Sequence, residues 1–236
     1  SMGSSLYHGM IYPLRDYQVK GAIWYQGEGN AGDPNYQKYL KALITNWRTV
    51  LNRPELPFLL VQLPNYSAKS VQPPFQSGWA SIREAQLHTA LTVPQTAMAV
   101  TYDLGEWNDI HPLNKKDLAY RLFLQARKLV YGEKLVSNGP LYKNMKIYGN
   151  QIILFFHPGA GGLKSRENSL KHFAIAGEDR VFVWADAIIK DNTIIVSSQE
   201  VANPVAVRYA WSDNPEEANL QNKDKLLASP FRTDQW

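Results

Sequence analysis

The fold of this chain is decided by residues 21–30, which read GAIWYQGEGN. An apolar run changes here into glycine, glutamine, glutamate and asparagine. This pattern is typical of a buried strand that delivers a polar loop to one edge of a parallel sheet. The side-chain amide of Asn30 can donate hydrogen bonds to a developing oxyanion, a task that needs a positioned donor without proton chemistry of its own. We therefore predict a catalytic loop after this strand, with Asn30 as its donor, and the alternative is a turn asparagine after Gly29.

The first part of the chain alternates short apolar runs with amphipathic segments of helical length. The runs lie at 19–25, 57–63 and 97–102, and the amphipathic segments lie at 36–51, 79–91 and 115–131. Such alternation is the signature of βαβ units. It predicts an α/β fold with a parallel sheet flanked by helices.

After residue 132 the pattern changes to short strand-like runs separated by Gly, Asp and Asn turns. These runs lie at 145–156, 173–176, 180–185, 187–197 and 205–210. They predict an antiparallel β-sandwich or jelly roll. We therefore expect an α/β domain over 1–134 and an accessory β-sandwich domain over 135–236.

Composition narrows the range of functions. The 236 residues are 44% hydrophobic and 19% charged, and the net charge of +4 arises without a basic run, so we expect no nucleic-acid partner. No apolar stretch reaches membrane-spanning length, and we expect no membrane partner. The chain has no cysteine, which excludes disulfides and thiolate metal sites. Phosphate-binding, dinucleotide-binding and zinc-protease motifs do not occur, so we predict no cofactor and no metal site.

The second polar stretch that carries chemistry is Asn-Asp-Ile-His-Pro at 108–112. His111 follows a predicted strand and precedes a predicted helix, where an exposed imidazole can act as a general base. A helix-capping or packed histidine is the alternative. Asp109 is the expected orienting acid, and the alternatives are Asn108, Glu106 and Asp103.

Two further interpretations concern neighbouring polar residues. Glu28 and an acid from the 103–109 loop would form a glycosidase pair if they faced each other across a sugar, which we regard as a minor alternative. Arg83 and Gln86 lie on one face of a predicted helix and would brace the site loops if buried, but we favour a solvated helix face.

The motif Gln26-Gly27-Glu28-x-Asn30, followed by Asp-Ile-His-Pro at 109–112, resembles the SGNH-type esterases and, within them, the sialate O-acetylesterase family. The similarity continues at 203–211 and 228–234. It implies a secreted or periplasmic hydrolase that removes acetyl esters from sialic acid or related sugars, using a serine and a histidine and no metal. It also assigns Gln26, Gly27 and Glu28 to the substrate-binding loop, and His111 and Asn30 to catalysis. The acid of that family stands three residues before the histidine, a position that Asn108 holds here, so the catalytic role of Asp109 is expected from its residue type and not from the family spacing.

The serine of that family stands in a Gly-Gln-Ser-Asn-Met segment, and no such segment occurs in these 236 residues. We therefore expect a C-terminal portion of an SGNH-like esterase, whose serine lies on an N-terminal segment of the same protein. The alternative is a non-catalytic fragment that binds glycans or packs against a protein partner.

Overall fold

The computed structural model describes residues 4–157 and 161–236. The α/β part contains three parallel strands, β1 (Ala22–Trp24), β2 (Phe58–Val61) and β3 (Thr96–Ala99). Its helices are α1 (Tyr36–Val50), α2 (Gly78–Thr92) and α3 (Lys115–Leu129). A π-helical turn, Tyr7–Ile11, and two 3₁₀ turns, Tyr12–Leu14 and Glu28–Asn30, complete this part.

The strand β2 lies between β1 and β3 and is buried on both faces of the sheet. Phe58 and Leu60 pack with α1 and α2, whereas Leu59 and Val61 pack with α3. Successive side chains of a strand point to opposite faces, so a continuous apolar run is needed where helices cover both. The arrangement is three-layered, and the predicted parallel sheet flanked by helices is confirmed.

The second part is built from antiparallel sheets. Its strands are β4 (Tyr142–Tyr148), β5 (Gln151–Phe156), β6 (Lys164–Ser165), β7 (Phe173–Ala176), β8 (Phe182–Trp184), β9 (Asp186–Lys190), β10 (Thr193–Ser197), β11 (Ala206–Tyr209), β12 (Leu220–Gln221) and β13 (Phe231–Arg232). Two four-stranded sheets, ordered β4-β5-β10-β9 and β13-β11-β7-β8, share one apolar core, and β12 pairs with β6. The predicted antiparallel second part is also confirmed.

Two segments that were each predicted as one run, 145–156 and 187–197, are β-hairpins. Gly149 stands in the first turn with φ 57°, and Asp191 and Asn192 form the second with φ 46° and 61°. Positive φ is accessible to glycine and tolerated by Asp and Asn, which allows two-residue hairpin turns. Apolar residues continue on both sides of each turn, so the pattern alone did not separate the strands.

The two parts of the molecule are joined by buried polar contacts. The hydroxyl groups of Tyr102 and Tyr209 lie 3.1 Å apart, and Asp103 binds Arg121 of α3 at 2.6 Å and Arg166 of the second part at 3.1 Å. The division at residue 134 stays a prediction. No helix within the described residues combines the length and apolar character needed to cross a membrane.

The ion pair of Asp103 predicts a pH-dependent stability. Burial raises the pKa of Asp103, but the hydrogen bonds and charges of Arg121 and Arg166 outweigh burial and lower it below its usual value. A carboxylate with a lowered pKa stabilises the fold above its unfolded pKa, and the contribution is lost as the pH falls below about 4. We expect Asp103→Asn to lower the free energy of unfolding at pH 7 by about 3 kcal/mol, because the largely buried guanidinium group of Arg121 loses its carboxylate partner.

Urea unfolding at pH 7 and at pH 3.5 measures this effect, and the gap between the native protein and Asp103→Asn should narrow at the lower pH. The control is Glu133→Gln, which removes the solvent-exposed ion pair with Arg127 and should leave the midpoint unchanged. Equal gaps at both pH values would contradict the assignment.

Candidate active site

The loops that follow β1, β2 and β3 meet at one edge of the parallel sheet, because parallel strands end on the same side. The loop after β1 carries Gln26 and Asn30, and the loop after β3 carries Asp103, Asp109 and His111. The two predicted catalytic stretches therefore lie at the same sheet edge.

The loop after β1 is shaped by Gly27, which is buried and has φ 152°. A Cβ atom there would lie 2.8 Å from Ile82 Cγ2 and 3.3 Å from the Tyr36 hydroxyl group. Only glycine combines this backbone conformation with so close an approach to α2. The glycine thus allows the chain to turn into the 3₁₀ segment that ends at Asn30.

The side chain of Asn30 is held at both ends of its amide. Gln26 Nε2 donates to Asn30 Oδ1 at 2.8 Å, and Asn30 Nδ2 lies 3.5 Å from Asp33 Oδ2. The backbone N–H of Asn30 donates to the Gly27 carbonyl at 2.9 Å. Gln26 and Gly27, which the sequence assigned to substrate binding, thus also shape the loop and hold Asn30.

The backbone carbonyl of Gln26 accepts two hydrogen bonds from buried side chains, one from the Tyr36 hydroxyl at 2.8 Å and one from Gln86 Nε2 at 3.0 Å. Burial, followed by smaller contributions that include the charge of Glu28, raises the pKa of Tyr36 to about 12. The phenol therefore stays protonated and remains a donor at any physiological pH.

Arg83 and Gln86, which we expected on a solvated helix face, are almost fully buried, so that interpretation was wrong. Gln86 Oε1 accepts from the Leu63 backbone N–H at 2.9 Å, and its Nε2 also donates to the Val61 carbonyl at 3.2 Å. Gln86 thereby joins the ends of β1 and β2. Polar residues on the buried side of α2 do not produce an amphipathic pattern, so periodicity could not reveal their role.

His111 and Asp109 form the second polar group. Asp109 Oδ1 lies 3.4 Å from His111 Nδ1 and accepts the His111 backbone N–H at 2.8 Å. The His111 side chain is 89% exposed. A carboxylate on Nδ1 favours the tautomer in which Nε2 is the free base. Among the alternatives, Asp103 is buried and bound to two arginines, whereas Asn108 is exposed and Glu106 is half-buried.

Lys115 contacts a neighbour of each group. Its ammonium group donates to the Pro112 carbonyl at 2.5 Å and lies 5.8 Å from the centre of the Tyr25 ring. Burial and, to a smaller extent, the charge of Glu28 raise the pKa of Tyr25 to about 12.

Among the described residues, no direct hydrogen bond joins Asn30 to His111. No cluster of three His, Asp or Glu side chains within 4–157 and 161–236 has metal-binding geometry.

Comparison with known proteins identifies the family of the chain. A family model for a carbohydrate esterase, sialic acid-specific acetylesterase, matches residues 1–119. Sialate O-acetylesterase of Homo sapiens is 32% identical over 265 residues, covering 100% of this chain and 50% of that protein. The Mus musculus sialate O-acetylesterase is 33% identical over 258 residues, covering 97% of this chain and 47% of that protein.

A solved structure has a similar fold. A carbohydrate acetylesterase from Xanthomonas citri superimposes with a TM-score of 0.92 at 46% identity, covering 98% of this chain and 54% of that one. The fold is thus that of a carbohydrate esterase. The chain belongs to the family of sialic acid-specific acetylesterases. It spans about half the length of the curated relatives it matches.

The buried amide of Gln86 yields a stability prediction. Gln86→Leu leaves the Leu63 N–H and the carbonyls of Gln26 and Val61 without this partner, so we expect a loss of about 2–4 kcal/mol. Urea denaturation measures the loss. The same substitution at the exposed Gln199 is the control, and an unchanged midpoint for Gln86→Leu would show that the network does not stabilise the loop.

Proposed function

We propose that this chain supplies the histidine and asparagine of a carbohydrate O-acetylesterase that removes acetyl esters from sialic acid or related sugars. The observation that carries the proposal is the position of two motifs at one sheet edge: an amide donor held by half-buried hydrogen bonds, and an exposed imidazole with a carboxylate 3.4 Å from its Nδ1. Membership of the carbohydrate esterase family supports it.

In the proposed mechanism, His111 Nε2 takes the proton of a serine hydroxyl while the serine oxygen attacks the acetyl carbonyl carbon. The carbonyl oxygen becomes an oxyanion, and Asn30 Nδ2 donates a hydrogen bond to it. The bond to the sugar oxygen then breaks, and His111 returns the proton to that oxygen. In the second half, His111 takes a proton from water while the water oxygen attacks the acetyl carbon, the bond to the serine oxygen breaks, and His111 returns the proton to the serine as acetate leaves. Asp109 orients the imidazole throughout.

We place the nucleophilic serine outside these 236 residues, on an N-terminal segment of the same protein. Two serines at the start of α2 already make hydrogen bonds within the helix. Ser77 caps α2 by accepting from Ala80 N–H at 2.9 Å, and the Ser81 hydroxyl donates to the Ser77 carbonyl at 2.9 Å. In the described sheet β1 is an edge strand, and its Ile23 is 63% exposed, so a further strand can pair there. We also propose that the protein is exported, either secreted or periplasmic.

The test uses the protein in its full natural length. We expect His111→Ala to lower kcat for an O-acetylated sialic acid by about 10⁴-fold or more, and Asn30→Ala to lower it by about 10²–10³-fold. The control is His157→Ala, at an exposed histidine of the second part, which should leave kcat unchanged. A serine-reactive fluorophosphonate should label the full-length protein but not residues 1–236 alone.

Rapid ester hydrolysis by residues 1–236 alone, with the probe on one of their own serines, would overturn the assignment of the serine. Full activity of His111→Ala would overturn the assignment of His111 as the general base. A full-length protein that hydrolyses no acetyl ester would favour the alternative, a fragment that binds glycans without catalysis.

We further propose that the sugar occupies a polar cleft that begins beside Asn30. The cleft has a volume of about 550 Å³ and is lined by Asp33, Gln37, Ser81, Glu84, His88 and Arg232. Asp33 also contacts the Asn30 amide, so one residue borders both the cleft and the proposed oxyanion donor. Side chains that both donate and accept hydrogen bonds suit the hydroxyl groups of a sugar.

The cleft predicts that Gln37→Ala will impair only sugar substrates. In the full-length protein, we expect a KM for the O-acetylated sugar raised about 5–10-fold, the effect of one lost hydrogen bond. Activity on p-nitrophenyl acetate, which carries no sugar, should not change. Thr45→Ala, two turns further along α1 and outside the cleft, is the control. Equal losses on both substrates would exclude a sugar-binding role.

A further inference from the structure

The usefulness of Asn30 depends on which end of its amide faces the ester. An asparagine side chain has a donor end and an acceptor end of nearly equal shape, and a rotation of 180° exchanges them. The donor end stabilises an oxyanion, whereas the acceptor end repels it. An oxyanion donor of this kind therefore needs neighbours that fix the rotation.

We propose that Gln26 is a positioning residue that fixes the Asn30 amide with its donor end available to the oxyanion. The inference rests on the proposed function and changes the role of Gln26, which the sequence motif assigned to substrate binding. It is carried by the contacts at the two ends of the Asn30 amide.

Asp33 sets the direction of the amide. A carboxylate only accepts hydrogen bonds, so the Asn30 group 3.5 Å from Asp33 Oδ2 must be the nitrogen. Asn30 Oδ1 then faces Gln26, whose Nε2 donates to it at 2.8 Å. The rotated amide would bring Oδ1 against the Asp33 carboxylate, where two acceptors repel each other. One N–H of Nδ2 points to Asp33, and the second is left for the ester.

The position of Gln26 is itself fixed by the core. Its backbone carbonyl accepts from the Tyr36 hydroxyl at 2.8 Å and from Gln86 Nε2 at 3.0 Å, and both donors are at least 97% buried. Gln86 in turn binds the backbone at the end of β2. A chain of hydrogen bonds thus runs from the parallel sheet to the Asn30 amide. Such preorganisation lets a donor act without reorientation during the reaction.

A double-mutant cycle in the full-length protein tests the inference. The variants are Gln26→Leu, Asn30→Ala and the double variant, assayed on p-nitrophenyl acetate so that no sugar contact contributes. We expect Gln26→Leu to lower kcat about 10–100-fold with KM within twofold. The double variant should be no slower than Asn30→Ala alone, because a residue that acts through Asn30 has nothing left to position.

Gln125→Leu is the matched control. Gln125 is a buried glutamine on α3 that binds the Met98 and Ser137 carbonyls, far from the Asn30 loop in the hydrogen-bond network. Its loss should lower the melting temperature and leave kcat unchanged. If Gln26→Leu does not fold, Gln26→Glu at pH 8 carries the same test, because it keeps the shape and replaces the donor with an acceptor.

Three outcomes would overturn the inference. Additive losses in the double variant would show that Gln26 acts independently of Asn30. A raised KM for the sugar ester with normal p-nitrophenyl acetate hydrolysis would show that Gln26 contacts the sugar. An unchanged kcat for Asn30→Ala would contradict the proposed function as well as the inference. This outcome is distinguishable from failure of the inference alone, because it appears in the single Asn30 variant and not in the variants of Gln26.

Discussion

The buried guanidinium group of Arg83 is the constraint on which the rest of the structure depends. It donates to the carbonyls of Leu63 and Pro64, after β2, at 2.7 Å each, and to the carbonyls of Ser212 and Asp213, after β11, at 2.6 and 2.9 Å. Burial lowers the pKa of Arg83 to about 9, which still leaves the group charged at neutral pH. A planar fork of five donors can bind four carbonyls of two segments at once, which neither lysine nor glutamine can reproduce.

That constraint ties the active-site edge to the second part of the molecule. The segment after β11 lies against α2 and the β2 loop, and its contacts include Ser77 with Asp213 at 2.5 Å and Gln62 with Ser229 at 2.8 Å. The antiparallel sheets therefore support the parallel sheet from the side of α2.

The two halves of the proposed site are held in different ways. The Asn30 amide is fixed by hydrogen bonds that lead back to buried side chains, whereas the His111 side chain is 89% exposed and Asp109 is 47% exposed. Water screens the attraction between exposed groups, so this pair gains little energy from its charges as it stands. Exclusion of water by a bound substrate or by further chain would strengthen it.

The sequence by itself determined the fold class and the two stretches that carry the candidate site. An apolar run that ends in glycine and polar residues has few stable solutions other than a buried strand with a loop at the sheet edge, so 21–30 and 108–112 were recognisable from local pattern. The two hairpins, with turns at Gly149 and at Asp191, were not separated into strands, because the apolar residues on both sides of each short turn were interpreted as one run. Only the tertiary structure decided the burial of Arg83 and Gln86, and with it the hydrogen bonds that hold Gln26 and Asn30. Burial of a polar residue depends on partners distant in the sequence, and no local periodicity records them.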